Sequence, residues 1–169
     1  MEDVFQKLIL MIRAYYPVLY LHSYEYYRTK QKIKGIVELL RREGKKVNYY
    51  QWDCVYGLVQ ILPDKTEKRI ERMQNPLEVL AYILNSKKSG EKNIFVLDDI
   101  NNHIDRDEVK LMFRKIAEAT NNNTHAIILS SIYRLPAELE KYITVLQIPL
   151  PNRNELGEVL DIVAKQAKV

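Results

Sequence analysis

A chain of 169 residues, 47% of them apolar, is long enough for a buried core and too apolar to stay disordered. No apolar run approaches the ~20 residues that a bilayer span needs. The acidic, amphipathic start Met1-Glu2-Asp3-Val4-Phe5 is unlike a secretion signal, so a cytoplasm-like compartment is expected. The net charge of +4 is mild but unevenly placed. The single cysteine, Cys54, excludes an internal disulfide and a multi-cysteine metal site, and reads as a small core or strand-edge residue. His22, His103 and His125 share no metal-ligand spacing and read as strand-end or loop histidines.

In chain order, Val4, Phe5, Leu8, Ile9 and Ile12 mark an amphipathic first helix. Residues 17–22 form a short apolar strand. Ile33, Ile36, Val37 and Leu40 repeat at helical spacing until Gly44 ends the run. Residues 47–53 read as a second strand, and 56–62 as a small extra β element before a charged loop, 63–72. Asn75-Pro76 has the form of an N-cap followed by proline at the first helical position, and Leu77, Leu80, Ala81 and Leu84 give that helix its stripe.

Lys87 to Lys92, with Gly90, reads as a turn into the strand Ile94-Phe95-Val96-Leu97. Asp105 is placed to cap the next helix, with Glu108 at the reciprocal position, and Val109, Met112, Phe113, Ile116 and Ala117 line its inner side. Asn121-Asn122-Asn123 is a turn into the strand 126–131. Residues 136–142 read as one short helix, 143–148 as a last strand, and Leu156, Val159, Leu160 and Val163 as the stripe of a closing helix. Near-continuously apolar strands alternating with amphipathic helices imply a parallel sheet covered on both faces, an α/β three-layer sandwich in one domain, 1–169.

The chemistry-bearing residues sit at strand ends. Ile94 to Leu97 runs into Asp98-Asp99, the form of a Walker B segment, in which paired carboxylates hold Mg²⁺ and polarise a water. The glycine-rich phosphate loop that normally accompanies it is not found after the first strand, where the chain reads His22-Ser23-Tyr24-Glu25-Tyr26-Tyr27-Arg28-Thr29-Lys30. That segment has no glycine to let backbone amides close on phosphates, bulky tyrosines where a ligand should approach, and an acid that repels one. Between Arg28 and Lys46 lie Arg28, Lys30, Lys32, Lys34, Arg41, Arg42, Lys45 and Lys46, opposed by Glu38 and Glu43. Such a stripe is either a solvated helix face or a surface for phosphates or an acidic protein. Tyr15, Tyr16, Tyr20, Tyr24, Tyr26 and Tyr27 crowd the first strand and its exit, where they fill a vacated pocket, form an interface or stack on unpaired bases.

This order of elements, with Tyr15-Tyr16-Pro17-Val18-Leu19-Tyr20-Leu21, Leu135-Pro136-x-Glu138-Leu139 and Ile143 to Pro151, resembles the core subdomain of an AAA+ ATPase. Within that group it is similar to the phosphate-loop-lacking N-terminal domain of the chloroplast-reading-frame (ycf-type) AAA+ proteins. The resemblance implies five parallel strands in the order 5-1-4-3-2, and the single helix after the fifth strand leads to the expectation of a domain without the helical lid. It also makes Asp98, Asp99 and Ser131 (or Ser130) vestiges of metal, water and sensor positions, and puts Arg134 in the region of arginine fingers.

The expectation is therefore a non-catalytic domain with no cofactor and no catalytic or metal-ligating residue. It would be a protein-interaction or regulatory module of an active AAA+ ATPase, in cis or in trans, with a homo-oligomer and a plastid stroma among the settings. Arg28, Lys30, Lys34, Arg41, Arg42, Lys45, Arg134, Tyr24, Tyr26 and Tyr27 are the interaction candidates. The alternatives are a nucleic-acid-binding accessory factor using the basic segment 28–46 and, further off, a metal-dependent enzyme centred on Asp98 and Asp99.

Overall fold

Successive side chains of a strand point to opposite faces, and three of the inner strands divide their apolar residues accordingly. Leu19 and Leu21, Ile94 and Val96, and Ile127 and Leu129 join one core, while Val18 and Tyr20, Phe95 and Leu97, and Ala126 and Ile128 join the other. In this computed structural model, which describes residues 2–87, 91–119 and 123–167, the order is α1 (Glu2–Arg13), β1 (Val18–His22), α2 (Tyr26–Arg42), β2 (Val47–Asp53), β3 (Gly57–Ile61), β4 (Glu67–Ile70), α3 (Pro76–Ser86), β5 (Lys92–Asp98), α4 (Asp107–Glu118), β6 (Thr124–Ser130), β7 (Thr144–Gln147) and α5 (Arg153–Gln166). Helices α1 and α2 seal the first core, and α3 and α4 the second. The result is the expected three layers.

The sheet differs from expectation in its width and direction. It has seven strands in the order β4-β3-β2-β5-β6-β1-β7. The five from β2 to β7 are mutually parallel where they pair, but β3 and β4 add an antiparallel meander beyond β2. The sheet is therefore mixed, not a five-stranded parallel one. Part of the segment expected as a charged loop, 63–72, is strand β4, whose Glu67, Lys68 and Arg69 are all exposed. Charged residues give little hydrophobic signal of a strand, yet they suit an edge because they discourage pairing with another chain.

Gly57 opens the meander at φ +76, and a Cβ there would stand 3.1 Å from the Met73 backbone nitrogen, so the position requires glycine. The β3–β4 turn is closed by Asp64, whose carboxylate accepts from the Thr66 N–H and hydroxyl at 3.0 and 2.6 Å.

Smaller expectations are also corrected. Residues 136–142 contain only a 3₁₀ turn, Ala137–Leu139. Helix α4 begins after Arg106, so Asp105 lies one residue outside the cap, and Glu108 pairs with the Arg106 guanidinium instead of closing a capping box. Cys54 is exposed in the turn after β2. The Asn75 cap stands as expected, its side chain accepting from the Leu77 N–H at 3.0 Å. The turn expected around Gly90 and most of the Asn121 to Asn123 turn fall outside the described residues.

Candidate functional site: a strand-end pocket occupied from within

Five parallel strands place their carboxyl ends along one rim of the sheet, the position where open α/β sheets bind ligands. Register brings His22 beside both Ser130 and Gln147, and Asp98 beside Leu129. The rim therefore brings the motif residues Asp98, Asp99, Ser130 and Ser131 together with Ser23, which the motifs did not include. Asp99 turns the chain out of β5 in the left-handed region, at φ 55 and ψ 22, a conformation that aspartate tolerates better than most side chains. A 3₁₀ turn, Ile100–His103, follows.

The entry to α2 fills this rim. Only Ser23, Tyr24 and Glu25 separate β1 from α2. The Ser23 hydroxyl is buried, accepts the Glu25 N–H at 3.1 Å and lies 2.8 Å from the Thr29 hydroxyl. One helical turn apart on the same face, Tyr26 and Lys30 then reach the two carboxylates.

The Tyr26 hydroxyl donates to Asp99 Oδ1 and accepts the Ser131 N–H at 2.9 Å, bridging β5 and β6. Ser130 donates to the same Asp99 oxygen at 2.9 Å. The Lys30 ammonium pairs with Asp98 Oδ2, and the other Asp98 oxygen is buried with no hydrogen-bond donor among the described residues. Burial pushes the Asp98 carboxyl above its ordinary range, with Asp53 and Asp99 adding to the rise and Lys30 opposing it.

Flanking contacts lock the rim. His22 bonds Gln147 through Nδ1 at 2.6 Å and the Ser131 carbonyl through Nε2 at 2.9 Å. The Tyr20 hydroxyl donates to the Ile132 carbonyl at 2.6 Å and accepts the Arg134 N–H at 3.1 Å. Asn101 donates to the same Ile132 carbonyl at 2.9 Å. The loop in the region of arginine fingers is thus fixed by its backbone, while Arg134 itself is exposed. A cavity of about 430 Å³ lies away from the rim, between α2 and the β3–β4 meander beside Lys34, Glu38 and Arg41.

The basic segment does not act as one stripe. Arg28 pairs with Glu25 and with Glu155 of α5, Lys30 with Asp98, Lys45 with Glu43, and Lys46 with Glu91. Arg41 donates twice to the Val47 carbonyl and so joins α2 to β2. Lys32 and Arg42 are exposed, and Lys34 is half-buried. The tyrosines part company too. Tyr20 is buried and Tyr26 half-buried, whereas Tyr24 and Tyr27 stand exposed at the same end of β1, and Tyr15 and Tyr16 at the other. The sequence reading missed Tyr26 and Lys30 as partners of the carboxylates. Their i, i+4 spacing, immediately after a strand, was the signal that could have found them.

A metal-centred site has no further support from the geometry. Among the described residues no group of three or more His, Cys, Asp or Glu side chains is placed to hold a metal ion. No described helix is long and apolar enough to cross a membrane.

Comparison with known proteins agrees with this architecture. The chain is 28% identical over 153 residues to the AAA domain-containing protein ycf46 of Guillardia theta, covering 89% of this chain and 28% of that protein. To its counterpart in Trieres chinensis it is 28% identical over 155 residues, covering 91% and 29%. The chain thus spans under a third of the curated relatives it matches. Among solved structures the fold is similar to the Aeropyrum pernix ORC2 protein (TM-score 0.58, 14% identity, 97% of this chain and 50% of that one). It is also similar to Thermotoga maritima RuvB (TM-score 0.55, 16% identity, 100% and 52%). Residues 4–148 match the family described as the SpoVK-like AAA ATPase, N-terminal domain, and the chain belongs to that family.

Proposed function

We propose that this domain is a non-catalytic AAA+-type module that serves an active ATPase through protein contact. The observation that carries the reading is that both Walker-B-like carboxylates are already engaged by side chains of α2, Asp98 by Lys30 and Asp99 by Tyr26. A magnesium nucleotide would have to displace an ammonium from one and a phenol from the other. It would then meet a three-residue, glycine-free connection instead of an amide cradle.

The contact surface follows from α5. Its N-terminus is fixed by a capping box between Asn152 and Glu155 and by the Arg28–Glu155 ion pair. Yet Leu156, Val159, Leu160 and Val163 are about half or more exposed, and no residue of the helix is buried. An apolar stripe at helical spacing, left in water, suits a partner groove. Because the family is described as the N-terminal domain of an AAA ATPase and the relatives are more than three times longer, the partner proposed is the ATPase module, in the same chain or another. A compartment without membrane insertion, cytoplasm or plastid stroma, accords with this reading.

The test is a binding titration between the purified domain and a purified ATPase module from a ycf46 relative. Saturable binding, weakened at least tenfold by Leu156→Ser plus Leu160→Ser, is expected. No binding, or binding indifferent to those substitutions, would remove α5 as the contact surface.

A further inference from the structure

The opposite end of the sheet carries a feature that a phosphate-loop remnant does not explain. Helix α1 ends in a Schellman motif: the Tyr16 N–H reaches the Met11 carbonyl at 3.0 Å, and the Tyr15 N–H reaches the Ile12 carbonyl at 3.2 Å. The left-handed residue of that motif is usually glycine, because a Cβ is strained there. Here it is Tyr15, at φ 64, and the residue is 52% exposed, so burial does not repay the strain. Tyr16 beside it is 40% exposed. A strained, exposed aromatic residue calls for a reason outside the fold.

Its surroundings supply one. Tyr15 borders two cavities. One, of about 230 Å³, is also lined by Arg13, Lys45, Lys46 and Lys92; the other, of about 360 Å³, by Tyr16, Lys141 and Tyr142. Three chain segments that are remote in sequence (the end of α1, the start of β2 and the start of β5) bring these cations together. Glu43 pairs with Arg13 and Lys45, and Glu91 with Lys46. Four cations thus face two carboxylates. Lys92 has no carboxylate within ion-pair distance among the described residues, and its ammonium lies 5.3 Å from the Tyr15 ring centroid and 3.2 Å from Nε2 of buried His125. Burial, and after it the neighbouring Lys45, make the Lys92 ammonium easier to deprotonate than usual.

We propose that this amino-terminal end of the sheet binds single-stranded nucleic acid, with backbone phosphate in the cavity among Arg13, Lys45, Lys46 and Lys92, and an unpaired base on the Tyr15 ring. Exposed aromatic rings beside a cationic pocket are the combination that binds unpaired strands. The pocket is too small to seat a duplex, and stacked base pairs offer no free ring face to Tyr15. An acidic peptide would use the charges but leave the strained ring without a role. The site is on the rim opposite Asp98 and Asp99, so it stands independently of the proposed ATPase partnership.

Tyr15→Gly provides a clean test, because glycine suits φ 64 and removes the ring without threatening the fold. The measurement is fluorescence anisotropy of labelled 20-nucleotide dT and rU strands, and of a 20-base-pair duplex, at ~50 and ~200 mM salt. The wild type should bind the single strands at the lower salt and lose about tenfold affinity at the higher, as expected for release of a few counterions. It should bind the duplex more weakly. Tyr15→Gly should weaken single-strand binding about tenfold while its thermal midpoint holds or rises, and Lys45→Glu plus Lys46→Glu should weaken it further. Lys32→Glu plus Lys34→Glu, on α2, should change it less than twofold. Absence of binding at ~50 µM protein and the lower salt would overturn the proposal. So would undiminished binding by folded Tyr15→Gly, equal binding of the duplex, or equal competition by polyglutamate.

Discussion

Lys30 and Asp98 test how the pocket is held, since each has most of its side chain removed from water. Removing one partner of such a pair leaves the other ionised in a poorly solvated site. Lys30→Met should destabilise the domain by about 1–3 kcal/mol, discounted from a fully buried pair because both groups keep some exposure. Adding Asp98→Asn to Lys30→Met should recover much of that loss, and urea unfolding of the double-mutant cycle measures the coupling.

His125 gives a pH test. Burial lowers its pKa from 6.5 to about 4, helped by the positive Lys92 and Lys87. Neutral His125 is the folded form, with Nδ1 2.6 Å from the Tyr16 carbonyl. As pH falls from about 6.5 towards 4 the unfolded chain takes up a proton that the native chain refuses, so stability is lost across that window, by about 2–3 kcal/mol at most. Asp98 has the opposite sign: its raised pKa favours the fold at acid pH, and that contribution disappears as pH rises above the ordinary carboxylate range. Urea midpoints for wild type and His125→Gln should therefore converge as pH falls from 7 to 4.5. Parallel curves would show that His125 carries no such penalty.

Among the elements, α2 and α5 make the sharpest contrast. Both show apolar residues at helical spacing, but α2 buries Ile33, Ile36, Val37 and Leu40 while α5 buries none. Ile36→Ala should cost about 2–5 kcal/mol, whereas Leu160→Ser on α5 should stay within about 0.5 kcal/mol in thermal or urea unfolding. A loss of several kcal/mol from the α5 change would mean that the helix packs on the body in solution.

The same contrast shows what a sequence can and cannot disclose. Periodicity identifies the stripe of Leu156, Val159, Leu160 and Val163 but does not say what covers it. The central strands were legible because each is buried on both faces and reads as an unbroken apolar run, as Ile94 to Leu97 does. Strand β4 was hidden because Glu67-Lys68-Arg69 pairs on an open edge through its backbone alone. Asp98, Asp99 and Ser131 were legible as strand-end residues. The engagement of those carboxylates by Tyr26 and Lys30 depends on how α2 enters from β1, and its one local trace is their i, i+4 spacing just after the strand.

For the whole molecule, the two rims of one sheet differ in what their polar side chains engage. At the carboxyl rim, the chain's own serines, tyrosine and lysine occupy the carboxylates that a nucleotide site would need. At the amino rim, cations and exposed tyrosines remain open to solvent. The fold is that of an AAA-type domain, and at its usual ligand position Asp98 and Asp99 are engaged by an internal ion pair and hydrogen bonds. The central claim of the proposed function is that this internal engagement leaves no nucleotide site. The most direct measurement is isothermal titration of ~100 µM domain with Mg·ATP, a concentration at which affinities of ~100 µM or tighter give measurable heat. The account predicts a flat titration for the wild type. Saturable heat with micromolar affinity, abolished by Asp98→Ala, would contradict it.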